Sequence, residues 1–295
     1  MATIGCFSYL AGVHTLHVEK YPTINYGVEV INTDQFIAGD GPLVAGLLAA
    51  LGHDVTLASN QVADDALGAQ LNTRLRRWRV QHTTGQLVLD RTPVNIVACD
   101  AAGNRTWFSG LRNITAALDG AALGPTAITY VDCYEVLGDA PRNAVRAALD
   151  QGSELALNLG GSPPPPWLGS TLAGHKAAVL QTNADENDES AAYRQLAILQ
   201  ALQVADLTVV TAGRRGAVAA SLATGVVVAP AIAVRVRQVQ GAGAAFSAAL
   251  IHSRARGDDL ASSLAYACAS GSLWCTRSLD EPLPRDDEIS ALMRS

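Results

Sequence analysis

The stretch Arg237-Gln238-Val239-Gln240-Gly241-Ala242-Gly243-Ala244-Ala245-Phe246-Ser247-Ala248-Ala249-Leu250 decides the fold. A glycine-rich turn here opens a helix of small and apolar residues. The first N–H groups of such a helix have no partner within it, and its positive end faces outward. That combination suits an anion. The same glycines would also let a helix pack closely on a strand, so Gly241-Ala242-Gly243 alone leaves phosphate binding and tight packing both open.

Upstream of this turn, the short apolar runs 128–132 (ITYVD), 154–158 (ELALN), 177–182 (AAVLQT) and 207–212 (LTVVTA) read as strands. Helical stretches at 141–151 and 190–203 separate them. Strands alternating with helices predict a doubly wound, mostly parallel α/β sheet covered by helices on both faces. Toward the front, 2–5 starts a first strand and 54–58 (DVTLA) is another, with a helix over 66–77. Gly39-Asp40-Gly41-Pro42 precedes the apolar helix 43–51, which ends at Gly52, matching the preference for proline at helix starts and glycine just past helix ends. The alternating segment 20–36 reads as exposed strands, and 92–108 as a hairpin turning at Asp100-Ala101-Ala102-Gly103. No domain linker or internal repeat interrupts the chain, so a single domain spanning 1–295 is expected.

The stretch 216–234 carries no charge, but Thr224-Gly225 and Pro230 interrupt it, so it reads as two short buried strands and not a membrane span. Across 295 residues, 49% are hydrophobic and the formal net charge is -6. A large core is therefore expected, with no electrostatic footprint for nucleic acid. The basic cluster Arg74, Arg76, Arg77 and Arg79 reads as the polar face of a surface helix. Five cysteines stand singly with no CxxC pair, and the N-terminal residues lack the basic and apolar regions of a secretion signal. Reduced thiols and a cytoplasmic location are the expectation.

The segment 238–246 resembles the Asp-Thr-x-Gly-Ala-Gly-Asp followed by Ala-Phe of the PfkB, or ribokinase-like, family of carbohydrate kinases. Val209-Val210-Thr211-Ala212-Gly213-Arg214-Arg215-Gly216-Ala217 is similar to its Val-Thr-x-Gly-x-x-Gly-Ala segment, and Asn183-Ala184-Asp185-Glu186 to its Asn-x-x-Glu motif. Val62-Ala63-Asp64-Asp65-Ala66-Leu67-Gly68 resembles its Val-Gly-x-Asp-x-x-Gly. These motifs follow the family's order along the whole chain. The resemblance implies a ribokinase-like fold in which the exposed strands of 20–36 and 92–108 form a small β lid, inserted in the domain, that closes over a small-molecule ligand and forms a homodimer contact. It implies ATP or ADP bound near Thr211, Gly213 and Gly216, and magnesium near Asn183 and Glu186. It further implies an anion hole at Gly241, Ala242 and Gly243, and a substrate pocket near Leu10, Gly39, Asp40 and Leu43, with Arg105 of the lid above it.

The sequence departs from that pattern where the chemistry would occur. The family's closing Asp takes the proton from the substrate hydroxyl, a contribution of roughly 10²–10⁴-fold for a positioned base. Ala244 stands there instead, and a methyl group accepts no proton. Gln238 and Val239 replace the opening Asp-Thr, while Leu10 and Leu43 fall where the family grips sugar hydroxyls. Each unpaired hydroxyl buried among hydrocarbon costs roughly 1–3 kcal/mol, so a flatter or less polar ligand than ribose is expected. Asp40 and His14 are the candidate substitute bases, and His17 lies close to His14 in the sequence. Three readings follow: a pseudokinase or ligand-binding protein without standard sugar phosphorylation, an active phosphotransferase with a relocated base, or a kinase fold turned to another reaction.

Overall fold

Alternating polar and apolar residues build the lid, while uninterrupted apolar runs build the main sheet. The computed structural model describes residues 1–101, 104–279 and 281–294. In chain order the first strands are β1 (Thr3–Phe7), β2 (Ala11–Val18) and β3 (Val30–Ala38), followed by α1 (Asp40–Ala50), β4 (Asp54–Gln61) and α2 (Ala66–Arg77). Next come β5 (Gln81–Val88), β6 (Val94–Cys99), β7 (Arg105–Gly110), α3 (Ile114–Ala117), β8 (Ile128–Asp132), α4 (Ala140–Asp150) and β9 (Glu154–Asn158). The rest is α5 (Leu168–Leu172), β10 (Ala177–Asn183), α6 (Ala191–Ala201), β11 (Ala205–Thr211), β12 (Ala217–Ser221), β13 (Gly225–Ala229), α7 (Ala242–Ala255), α8 (Leu260–Cys275) and α9 (Asp286–Met293).

Nine strands form the main sheet in the order β13-β12-β11-β10-β9-β8-β1-β4-β5. Pairing is parallel from β5 to β11 and antiparallel for β12 and β13. From β1 the chain builds β4 and β5 on one side, then crosses to β8 and builds the other. In doubly wound sheets ligands lie beyond the carboxyl ends of the strands at such a reversal. The expected α/β fold is present.

The lid is a second sheet, β3-β2-β6-β7. Its first strand is β2, and residues 19–29 between β2 and β3 form no strand, because Pro22 and Gly27 break the extended run expected over 20–36. The expected hairpin is β6 and β7; its turn, which includes Ala102 and Gly103, lies outside the described residues. The segment 216–234 does hold two strands joined by a tight turn, but only β12 is buried. β13 is the outer edge of the sheet and leaves Val226 and Val228 more than half exposed. Among the described residues no helix is long and apolar enough to cross a membrane.

Register fixes which face of the lid meets the body. Thr15 pairs with Asp34 and Val97, and Val97 pairs with Trp107, so these side chains share one face. Thr15 Oγ1 donates to Gln240 Oε1 of the body at 3.0 Å, so this is the cleft face. The opposite face carries His14, Gln35, Ile96 and Phe108, which pair in the alternate rows.

Candidate functional site

Gly241 turns the chain at φ 85° directly before α7, as the sequence suggested. A Cβ there would lie 2.6 Å from Leu43 Cδ2, so only glycine lets α1 approach this turn. Trp274 Nε1 donates to Gln240 O at 2.7 Å and fixes the turn from α8. Gly243, near the start of a 14-residue helix, is exposed and faces open space, whereas the Ala242 N–H before it already donates to Val239 O at 3.2 Å. One step further, Ala244 has no exposed surface. It is sealed in the core with Ala245 and Ala248.

The substrate side is filled as well. Tyr9 is buried below the lid, and its hydroxyl accepts from Asn95 Nδ2 of β6 at 3.2 Å. That donor is then spent on a protein hydroxyl. Leu10 is fully buried, its backbone clamped to the Asn60 side chain, and Leu43 is buried against Gly241. Phe36 stacks at 5.9 Å on Trp274 and at 6.2 Å on Trp78.

Beneath this plug lies a polar network absent from the sequence reading. Asp132, at the carboxyl end of β8, accepts on Oδ2 from Ser8 Oγ at 2.5 Å and from the Gly41 N–H at 2.9 Å. Its Oδ1 accepts from Tyr130 OH at 2.7 Å. Asp40 Oδ2 accepts from Tyr134 OH at 2.5 Å and Asn158 Nδ2 at 3.3 Å, and the same Nδ2 lies 2.8 Å from Tyr130 OH. Burial pushes both carboxyls above their ordinary range, and the charge of Asp40 raises Asp132 further. Asp40 therefore has one oxygen tied down, while no protein donor among the described residues reaches Oδ1. The only sequence signal for Asp132 and Asn158 is their place as polar residues ending apolar strands.

The other predicted residues divide between the cleft and other surfaces. His14 lies on the face of the lid opposite Thr15, so its candidacy as a base in the cleft is corrected: strand alternation turns it outward. His17 is on the cleft face but pairs with Asp34 at 2.7 Å. Arg105 lies on the cleft face of β7 and is exposed. Asn183 and Thr211 are register neighbours at the ends of β10 and β11, which places both at the carboxyl edge. Gly213 approaches Glu186 so closely that a Cβ would lie 1.7 Å from Glu186 Oε2. Gly216, at φ 90°, closes the turn into β12.

Glu186 does not fit the implied magnesium as it stands. Its Oε2 accepts from the Arg214 N–H and its Oε1 pairs with Arg214 Nη1, both at 3.0 Å. A cation already neutralises this carboxylate, and no group of three His, Cys, Asp or Glu among the described residues is arranged to hold a metal. The amides at Gly243 do fit an anionic group, being exposed and unobstructed.

A model of the pfkB family carbohydrate kinases matches residues 16–285. No curated protein sequence matches the chain. Among solved structures the chain is similar to a nucleoside kinase of Methanocaldococcus jannaschii, an archaeal member of the ribokinase family, with TM-score 0.76, 18% identity, and 100% of this chain and 98% of that chain covered. It is similar to a Burkholderia thailandensis nucleoside kinase in complex with inosine, with TM-score 0.75, 18% identity, and 99% and 98% covered. It is also similar to the Arabidopsis thaliana ribokinase complexed with ribose and ATP, with TM-score 0.73, 16% identity, and 100% and 99% covered.

Proposed function

The chain belongs to the pfkB family of carbohydrate kinases, and on that footing we propose that it binds a nucleotide or similar anion at the Gly241–Gly243 amides without phosphorylating ordinary sugars. The observation that carries this reading is the sealed Ala244 beside a substrate side filled by Tyr9 and Leu43. A sugar hydroxyl arriving there would meet a methyl group where relatives keep a base. It would also have to displace the Tyr9 hydroxyl from its Asn95 donor. Relatives with bound ATP, ribose and inosine support a small-molecule ligand under the lid.

Calorimetry with ADP, with and without magnesium, and phosphate-transfer assays over ribose, fructose and inosine test the proposal. We expect ADP binding that depends little on magnesium, since Arg214 occupies Glu186, and no transfer to any of the three acceptors. Magnesium-dependent phosphorylation of any of them would overturn it.

The free Oδ1 of Asp40 favours a second reading, an active phosphotransferase with a relocated base acting on a less polar alcohol. Its affinity for a proton, raised by burial, suits a general base. If turnover on such an alcohol is found, Asp40→Asn should lower kcat by roughly 10²–10⁴-fold. We further propose that 1–295 is one domain, that the apolar outer face of the lid joins two copies, and that the protein is cytoplasmic. The lid face carrying Phe108 and Ile96 supports the second of these, and five free cysteines, three of them buried, support the third.

A further inference from the structure

The edge strand of the lid leaves a row of unengaged groups above the cleft. Arg105, Trp107 and Ser109 alternate along β7 on the face that carries Thr15 toward the body. Trp107 is 53% exposed, although it belongs to the same row as the buried Val97. The row begins at the Thr15–Gln240 contact, and Trp107 lies two strand spacings along it, each roughly 4.8 Å. Trp107 therefore belongs to the cleft face, roughly two strand spacings out from the Gln240 contact, with about half of its surface open. No ion pair of Arg105 is formed among the described residues, and its charge is felt at Cys99 of the lid, together with those of Asp100 and Asp34, and at Cys275 of the body. On the other side of Trp107, Ser109 Oγ donates to Asn95 Oδ1 at 3.4 Å, which continues to Tyr9.

We propose that this row recognises a planar aromatic ring bearing an anionic group. Trp107 stacks on the ring, and Arg105, two residues or roughly 6.7 Å away along the strand, pairs with the anion. The inference rests on the small-molecule reading above and names the class of that ligand. An aromatic ring needs few hydrogen bonds from its pocket, which agrees with Tyr9 and Leu43 having consumed the polyol contacts. A planar anion also has a use for an otherwise unpaired arginine. A neutral sugar would leave the arginine's charge unmatched.

The test is intrinsic fluorescence of the intact chain. Trp107 is the tryptophan with most exposure, since Trp167 and Trp274 are buried and Trp78 is half-buried. Phenyl phosphate, inorganic phosphate and phenol serve as probes, and ADP binding is followed separately by calorimetry. Phenyl phosphate should quench the exposed emission and bind at least roughly tenfold tighter than either phosphate or phenol, because stacking and ion pairing act together. Trp107→Ala should weaken phenyl phosphate by roughly fivefold or more, with Trp107→Phe restoring most of the loss. Arg105→Gln should abolish the preference over phenol. Equal binding of phenyl phosphate and inorganic phosphate, or phenyl phosphate binding unchanged in Trp107→Ala, would overturn the inference. If ADP still binds in that case, the broader reading stands; if ADP fails as well, both fall.

Discussion

Ala244, the residue that the motif resemblance sets at the base position, leaves no room in which a base could be installed. It has no exposed surface and packs in the core with Ala245 and Ala248. A carboxylate introduced there would be desolvated with no donor in place to receive it. Ala244→Asp should therefore cost stability of about 3–5 kcal/mol, the usual penalty of an uncompensated buried charge, and should yield no sugar phosphorylation. Urea denaturation beside a transfer assay checks both; a stable, sugar-phosphorylating variant would show that the pocket was never remodelled. That Ala244 departs from the motif was legible in the sequence, because it is a single position inside one. The Asp132–Asn158–Tyr134–Asp40 network was not, because its members come from separate strands and loops and meet only through sheet order. Asp40 was singled out for its place in a glycine turn. What makes it chemically distinctive is Tyr134, 94 positions along the chain.

At the scale of elements, segments with one strong local signal were read to the residue. Helix α2 begins where Asp65 caps it, with Oδ1 accepting from Gly68 N at 2.7 Å, and strands β8 and β9 are bounded as their apolar runs suggest. Strand β2 escaped because Thr15, His14 and His17 dilute its alternation; it gains its apolar environment only from the body below. The two faces of the lid also differ in a way no single strand reveals. The cleft face is anchored through Thr15 and Asn95, whereas the outer face presents Phe108 at 60% exposure beside Ile96. Contiguous apolar surface of that kind marks an interaction site, and a second copy would cover it by symmetry. Phe108→Ser should then shift the protein from dimer to monomer in sedimentation velocity while leaving ADP binding in place. A monomeric unaltered chain would remove the lid dimer from consideration.

Across the whole molecule, two buried titrating clusters pull stability in opposite directions with pH. Asp40 and Asp132 have raised affinity for protons in the folded state, so above the ordinary value of 3.8 the native chain holds protons that the unfolded chain has released. Stability from this pair is present at low pH and is lost as pH rises through the raised values. The second cluster ties the start of β4 to the C-terminal helices. His53 Nε2 lies 2.8 Å from His252 Nδ1, and His252 faces Arg256 and Asp286 while stacking on Tyr266. Burial lowers both imidazoles, His53 to about 4 from 6.5, and each is pushed further down by a nearby positive group. Here the unfolded chain binds more protons between about 4 and 6.5, so stability from the histidines falls as pH drops through that window. The two slopes oppose each other in mild acid, and the parent profile between pH 4.5 and 6.5 should be shallow. Substitution separates them. His53→Gln should leave the carboxylates in control, so that stability declines as pH rises from 4.5. Asp40→Asn removes one carboxyl and the charge that helps raise Asp132, so stability should climb more with pH over the same range than in the parent. Urea midpoints measured at intervals from pH 4.5 to 8 read both slopes; parallel profiles for the parent and the two variants would mean that neither cluster titrates on folding.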